Sequence, residues 1–447
     1  MSITLYKHNL EAYRSVMDML DKVGKAAVIH PTGTGKSFIG FKLCEEHPDK
    51  KICWLSPSRY IYDTQLENLA ESSDGYVPDN IEFITYARLM NYSDAEIEEI
   101  RPDYIVLDEF HRCGALAWGQ GVEKLLSRYE DVPLLGLSAT AIRYLDNQRD
   151  MFDEIFDGHV ASTMTLGEAI VRGILNPPKY VQYIYSYLED LERYESKISR
   201  IKNKRRRKQA EDYLEKLKRA LDKAEGLDVI FDKHMRVRCG KYIVFCSNYE
   251  AMQDAIDKIS EWFCRVDKKP KVYSLYTEDP STSLSFKQFK EDDDNEHLRL
   301  LYCIDALNEG VHVEGISGVI LLRPTVSPII YKQQIGRALS ASKHTSPVIF
   351  DVVNNIENLY SIDAIKEEMD EAVYLFRNGS DDDIVNDTFE VVDELHDCIE
   401  LFDALENSLT ATWDIMYAEA KKYYEENGNL VPILSYETDT GYALGVG

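Results

Sequence analysis

Short apolar runs alternate with helical periodicity through the first 172 residues. "KAAVIH" (25–30) reads as a strand, and "SFIGFKLCEEH" (37–47) as the helix after it. "KICWLS", "IEFITY", "YIVLDE" and "PLLGLS" follow, each succeeded by a more polar stretch. Apolar strands separated by helices predict a parallel sheet covered on both faces. "RGILNPPKY" (172–180) interrupts the pattern with one glycine and two prolines, a combination that marks a hinge or boundary. A second set then runs "YVQYIYSY", "KYIVFC", "KVYSLY", "RLLYCI", "GVILLR" and "PVIFDVV". The pattern therefore predicts an α/β protein with two doubly wound parallel sheets in tandem.

One segment departs from this rhythm. Leu188, Leu191, Tyr194, Ile198 and Ile201 recur every three or four residues, as do Tyr213, Leu217, Ala220 and Ala224. Between them lies "KNKRRRK" (202–208). The spacing predicts an antiparallel helical hairpin over about 187–226 with a basic elbow. From about residue 376 the chain turns acidic ("NGSDDDIVND"). Helical patterns follow in "EVVDELHDCIELFDALENSL" and "WDIMYAEAKKYYEEN". The expected domains are 1–172, 173–375 carrying the hairpin, and an acidic linker with a helical C-terminal region over 376–447.

Composition narrows the function classes. The chain has 447 residues, 44% hydrophobic and 29% charged, enough to bury several cores. A formal charge of -27 argues against broad, non-specific binding to nucleic acid or anionic membranes, while leaving room for a local basic groove. The eight cysteines are scattered with no C-x-x-C pair, as expected of buried thiols in a reducing compartment. No apolar run has membrane-spanning length and the first residues lack a leader pattern, so a cytoplasmic protein with no membrane partner is expected.

Chemistry concentrates in two stretches. After the first strand, "HPTGTGKSF" (30–38) leads into a helix. Gly33 and Gly35 let the backbone fold so that N–H groups point inward at phosphate oxygens. Lys36 can reach the β- and γ-phosphates, and the Ser37 hydroxyl can ligate magnesium. Thr32 and Thr34 complete the loop, which has His30 where the strict pattern has glycine. In "YIVLDEFH" (104–111), Asp108 and Glu109 close an apolar strand. One carboxylate there can hold magnesium while the other orients and deprotonates a water. An isolated acidic pair is an ordinary solvated strand end; the phosphate loop upstream gives this one meaning.

Together these stretches resemble the superfamily 2 helicases and translocases, the DEAD/DEAH-box (DExH) group. "SAT" (138–140) is similar to motif III, "YIVFCSN" (242–248) to motif IV, "IDALNEGVHV" (304–313) to motif V and "QQIGRALS" (333–340) to motif VI. "LYKHNLEAY" (5–13) resembles the adenine-recognition motif, with Asn9 where glutamine is usual. "SPSRYIYDTQ" and "ITYARL" stand where strand-contacting motifs Ia and Ic are expected. The resemblance covers about residues 3–375, and "DEFH" and "NEGVHV" point to the type III restriction-like branch.

The resemblance implies tandem RecA-like domains with ATP and magnesium between them and nucleic acid across both, DNA being favoured over RNA. It implies catalytic roles for Lys36, Asp108, Glu109 and Arg337, nucleotide contacts from Asn9, residues 32–37, Gly310 and Gln333, and metal ligation by Ser37 and Asp108. It implies coupling roles for His111, Ser138 and Thr140, and strand contacts from Ser58, Arg59, Thr85 and Asn248. Motif VI departs from Q-x-x-G-R-x-x-R by placing Ser340 at its final arginine. That leaves Arg337, aided by Arg323, to meet the γ-phosphate, or else a slow ATP-gated switch.

Two further features stay open. Arg205, Arg206 and Arg207 in the elbow either contact backbone phosphates or keep a hairpin tip soluble, and a nuclear localisation signal is a third reading. The segment from Trp413 to Gly447 resembles the start of a helicase-associated repeat, against a plain surface helix. A protein partner or a further C-terminal domain is left open with it. An RNA helicase of the same fold, and a clamp that does not unwind, are the rival functions.

Overall fold

The central apolar runs form strands because they are buried on both faces. All five residues of Ile52–Ser56, Leu134–Ser138 and Lys241–Phe245 are buried. The computed structural model describes residues 3–111, 116–139, 142–143, 149–184, 188–201, 204–221, 225–276, 282–304, 313, 315–322, 335–336, 339, 346–353, 361–379, 384–394, 398–409 and 413–429.

The first sheet contains β1 (Lys25–Ile29), β2 (Ile52–Ser56), β3 (Ile81–Thr85), β4 (Tyr104–Asp108) and β5 (Leu134–Ser138). A two-residue antiparallel pair follows, β6 (Ile142–Arg143) with β7 (Arg149–Asp150), and then β8 (Val160–Thr163). The order is β3-β2-β4-β5-β1-β8, with every pairing parallel. β8 was not among the expected strands. It is short and only partly buried, and its pairing with β1 comes from a distant part of the chain. Alternation in β2 sends Ile52 and Trp54 to one core layer and Cys53 and Leu55 to the other. Trp54 stacks on Phe41 with ring centroids 4.7 Å apart.

The second sheet contains β9 (Lys179–Ile184), β10 (Lys241–Phe245), β11 (Lys271–Tyr276), β12 (Arg299–Ile304), β13 (Ile316–Leu321), β14 (Val348–Val353) and β15 (Glu390–Asp393). Its order is β11-β12-β10-β13-β14-β9-β15, again all parallel. The two expected doubly wound sheets are therefore present.

β15 corrects one expectation. Its residues read as the start of a long helix, but they form an edge strand in parallel register with β9, Val391 opposite Tyr180. Pairing with a strand some two hundred residues upstream overrides the local periodicity. The helix Leu166–Val171 lies before the Pro-Pro break, yet Leu166, Ala169 and Ile170 are buried among Ile243, Ile349 and Met369 of the second lobe. The Gly167 amide also donates to Glu368 at 3.0 Å.

The hairpin forms as two helices, Leu188–Ser199 and Lys204–Leu221. The helix Cys398–Leu409 completes it: Tyr194, Leu214, Leu217, Phe402 and Leu405 share one buried cluster. Ala224 and residues 430–447 lie outside the described residues.

Candidate active site

In a parallel sheet every strand delivers its C-terminal end to the same edge. Across the first sheet that edge presents, in spatial order, Thr85 after β3, Ser58 after β2, Asp108 and Glu109 at β4, Ser138 at β5, and the phosphate loop after β1. Chemistry therefore collects at the centre, with the strand-contact candidates to one side.

The loop folds on itself. Gly33 and Gly35 have φ of 90° and 78°, a left-handed region that side chains with a Cβ disfavour. The Thr34 hydroxyl donates to the Pro31 carbonyl at 2.8 Å. The helix Ser37–Glu46 begins directly after Lys36, aiming its first amides at the cradle.

Asn9 reaches this loop from the helix Lys7–Val23, but at its backbone: its amide nitrogen donates to the Thr34 carbonyl at 2.8 Å and to that of Gly35 at 3.2 Å. The shorter side chain thus spends its donors holding the loop. Its Oδ1 is buried without a hydrogen-bond partner among the described residues. His8 Nε2 lies 2.8 Å from the same Thr34 carbonyl. His30 is 1% exposed, with Nε2 2.8 Å from the Ser162 hydroxyl on β8. Burial first, then the nearby His8, Lys36 and Arg172 charges, pushes its imidazole down to about 3.

Lys36 and Glu109 form a buried ion pair, Nζ to Oε1 at 2.9 Å. Glu109 has φ of 51°, an uncommon conformation for a side-chain-bearing residue, and it turns the chain sharply at the end of β4. Burial alone would raise its carboxyl, but the charges of Lys36 and His111 and the Ala139 amide outweigh it and hold it ionised. Asp108 shifts the opposite way, driven up by burial and by the Glu109 charge. Two adjacent buried carboxylates with one lysine between them cannot both be fully compensated. Asp108 Oδ2 accepts from Gln65 at 2.9 Å, and Oδ1 has no hydrogen-bond partner among the described residues. An orphaned, fully buried carboxylate oxygen next to a phosphate cradle fits a cation. Magnesium held by Asp108 and Ser37 would supply the missing charge and screen the phosphates.

His111 Nδ1 lies 2.9 Å from the Ser138 hydroxyl and 3.5 Å from Glu109 Oε2. The two coupling residues expected from different motifs are thus in contact, while Thr140 lies outside the described residues. Ser58, Thr85 and Asn248 each cap a helix, accepting from Ile61, Arg88 and Ala251 amides. Arg59 is exposed, pairs with Asp63 at 2.8 Å and lies over the Phe83 ring.

The expected elbow arginines begin a helix and do not form a loop. Arg206 donates to the Ser408 carbonyl at 3.2 Å, and Arg207 pairs with Glu211 at 2.9 Å. Gly310, Gln333, Arg337, Ser340 and Arg323 lie outside the described residues. Their neighbour Gly336 is described: a methyl group there would sit 3.3 Å from the Thr32 carbonyl oxygen, so the second lobe closes directly on the phosphate loop.

Three residues within the quoted motif stretches make contacts that the resemblance does not assign. Gln65 touches Asp108, His8 touches the loop, and the Tyr86 hydroxyl donates to the Asp108 carbonyl at 2.8 Å. Gln65 had a signal: it lies three residues after Tyr62 and four before Leu69, on the apolar face of its helix.

A family model described as "Type III restriction enzyme, res subunit" matches residues 2–143, and one described as "Helicase conserved C-terminal domain" matches residues 222–342. The chain belongs to the superfamily 2 helicases, on their type III restriction-like branch.

A "51.5 kDa protein" of Lactococcus phage (isolate 7-9) is 24% identical over 329 residues, covering 73% of this chain and 65% of that protein. The chain thus spans slightly less than two thirds of that relative's length. Among solved structures, the Type ISP restriction-modification enzyme LlaBIII bound to DNA superposes with a TM-score of 0.57 at 14% identity, over 97% of this chain and 36% of that one. S. cerevisiae Dbp5 bound to RNA and ADP BeF3 gives 0.53 at 14% identity, over 91% of this chain and 98% of that one. A fragment of a putative HsdR subunit of a type I restriction enzyme from Vibrio vulnificus YJ016 gives 0.53 at 18%, over 88% and 72%. These likenesses establish the tandem RecA-like fold. No described helix is long and apolar enough to cross a membrane.

Proposed function

We propose that the chain hydrolyses ATP with magnesium between its two lobes in response to nucleic acid, acting as a DNA helicase or translocase. The observation that carries this reading is the buried set of Lys36, Glu109 and Asp108 beside the glycine cradle, with one oxygen of each carboxylate left without a hydrogen-bond partner among the described residues. Lys36 exchanges Glu109 for the β- and γ-phosphates. That frees Glu109, already ionised, to take a proton from the attacking water. Ser37 and Asp108 would hold the magnesium, whose charge would offset that of the phosphates. Asn9 and His8 brace the loop, and Gln333 and Gly310 meet the nucleotide from the second lobe. Arg337 is assigned to the γ-phosphate by its place in the motif.

The nucleic-acid strand is assigned to the first-sheet edge bearing Ser58, Arg59 and Thr85, and to Asn248 after β10 of the second sheet. Of the elbow arginines, Arg206 is assigned to the helical unit it braces through the Ser408 carbonyl. DNA is preferred from the branch to which the chain belongs and from a restriction-enzyme relative of like fold bound to DNA. An RNA substrate is the alternative within this fold. A protein confined to the cytoplasm fits a nucleic-acid motor of this kind.

One observation favours a second reading. Ser340 stands where the family places a second arginine, and a missing arginine finger lowers the rate steeply. A slow ATP-gated clamp on nucleic acid would result. Steady-state ATPase rates with single- and double-stranded DNA and RNA decide between these. Stimulation by DNA with strand displacement or translocation is expected. Absence of stimulation by any nucleic acid would overturn the reading, and stimulation without movement would select the clamp.

A further inference from the structure

The helix Arg59–Ser72 touches three separate parts of the molecule. At its start are Ser58 and Arg59, on the proposed strand-binding edge. On its outer side, Ile61 is 2% exposed and buried in the second lobe's core cluster with Phe286 and Phe289. The Tyr60 ring meets the Phe286 ring edge-on at 5.8 Å, and Glu67 lies 3.9 Å from Lys290. On its inner side, Tyr62 and Leu69 pack into the first lobe beside Trp54. Gln65 shares that inner face, and its amide donates to Asp108 Oδ2 at 2.9 Å.

The remaining polar atoms of this contact are unpaired. Gln65 Oε1 and Asp108 Oδ1 are both buried with no hydrogen-bond partner among the described residues. Among the described residues, the Asp108 carboxylate accepts from Gln65 and from the backbone of its neighbour Glu109. Gln65 is thus the side chain through which a separate element orients this carboxylate. Any shift of the helix therefore reorients the oxygen left for the metal.

We infer that Gln65 is a positioning residue, which aims Asp108 at the metal and ties metal binding to the engagement of the second lobe and the strand through the helix Arg59–Ser72. The inference rests on the proposed assignment of Asp108 as metal-holding carboxylate. The helix moves as a rigid rod between lobe and carboxylate, because side chains on both of its faces are packed into cores. Strand binding at Arg59, or closure against Tyr60 and Ile61, displaces the rod and turns Asp108. Gln65 makes the Asp108 carboxylate respond to both events without touching nucleotide or nucleic acid itself.

The test uses Gln65→Met, which matches the side chain's length but has no N–H donor, and Gln65→His, which retains one. Binding of a fluorescent, non-hydrolysable ATP analogue is titrated with magnesium, with and without DNA, and melting temperatures are recorded alongside. In the parent, DNA is expected to lower the magnesium concentration needed for half-maximal binding. Gln65→Met is expected to raise that concentration about 10-fold, the lower end of typical outer-shell effects, and to abolish the DNA-linked shift. Gln65→His is expected to restore most of both. A Gln65→Met protein with the parent's magnesium dependence and DNA response overturns the inference. So does an equal defect in both variants with a matching loss of melting temperature, since that marks mere packing. If the parent itself shows no magnesium-dependent analogue binding, the active-site assignment has failed at its root, and the role of Gln65 fails with it.

Discussion

At Glu109, one side chain carries both an ion pair and the expected proton transfer. Its carboxylate is kept ionised by Lys36, so it is poised as a base once phosphate draws the lysine away. Glu109→Gln is expected to bind ATP and magnesium like the parent but turn over at least about 10²-fold more slowly, the low end for general-base loss. Equilibrium nucleotide binding and stimulated ATPase rates check this, and near-parent turnover would remove Glu109 from the mechanism. His30 gives a pH dependence. Its folded-state pKa is depressed to about 3, so the unfolded chain takes up a proton first as pH falls below about 6.5. The stability it contributes is therefore intact above that value and declines down to about 3. By pH 5 the loss from this group alone is about 2 kcal/mol. Guanidinium unfolding at pH 7 and pH 5 should show a smaller drop for His30→Asn than for the parent. An equal drop would assign the acid sensitivity elsewhere.

Among the elements, the hairpin and the helix Cys398–Leu409 behave as one unit. Leu217 and Leu405 are fully buried between them, and Tyr194 meets Phe402 edge-on at 5.6 Å. Leu217→Ala is expected to destabilise this unit by about 3 kcal/mol through lost packing and a residual cavity. Hydrogen exchange should localise the effect to residues 188–221 and 398–409. Faster exchange spread evenly over both sheets would contradict a separate unit. Arg206 places its cation at the C-terminal end of the helix Cys398–Leu409, where it meets unpaired carbonyls and the negative end of the helix dipole. Arg206→Ala is expected to lower the melting temperature while leaving the salt dependence of DNA binding as in the parent. A flatter salt slope would instead make Arg206 a phosphate contact.

For the molecule as a whole, the proposed hydrolysis requires the two lobes to meet. Gly336 lies against Thr32 of the phosphate loop, and Arg337 is the next residue in the chain. Arg337→Ala is expected to cut DNA-stimulated turnover by about 10²-fold or more, from the range for arginine fingers. Nucleotide affinity should fall much less, since Lys36 and the loop amides belong to the other lobe. Ser340→Arg discriminates further: a large acceleration would mean that the parent is a slow clamp, whereas a small change leaves Arg337 sufficient.

The amino-acid sequence by itself determined the two parallel sheets, the cradle and the acidic pair. Each is a local signal, either a doubly buried apolar run or a contiguous motif whose residues lie within a few bonds of one another. It also determined the hairpin, because the three-and-four spacing is the packing face itself. Only the tertiary structure decided the rest. Residues 390–393 became a strand because an open sheet edge at β9 outweighed their helical spacing. The helix Leu166–Val171 went to the second lobe because its apolar face found Ile349 and Met369 there. Asn9 spends its donors on Thr34 and Gly35, His111 meets Ser138, and Gln65 meets Asp108. None of these pairings is periodic or contiguous. Each is made by strands and helices converging on one edge of a sheet, and a short-range pattern holds no record of that convergence.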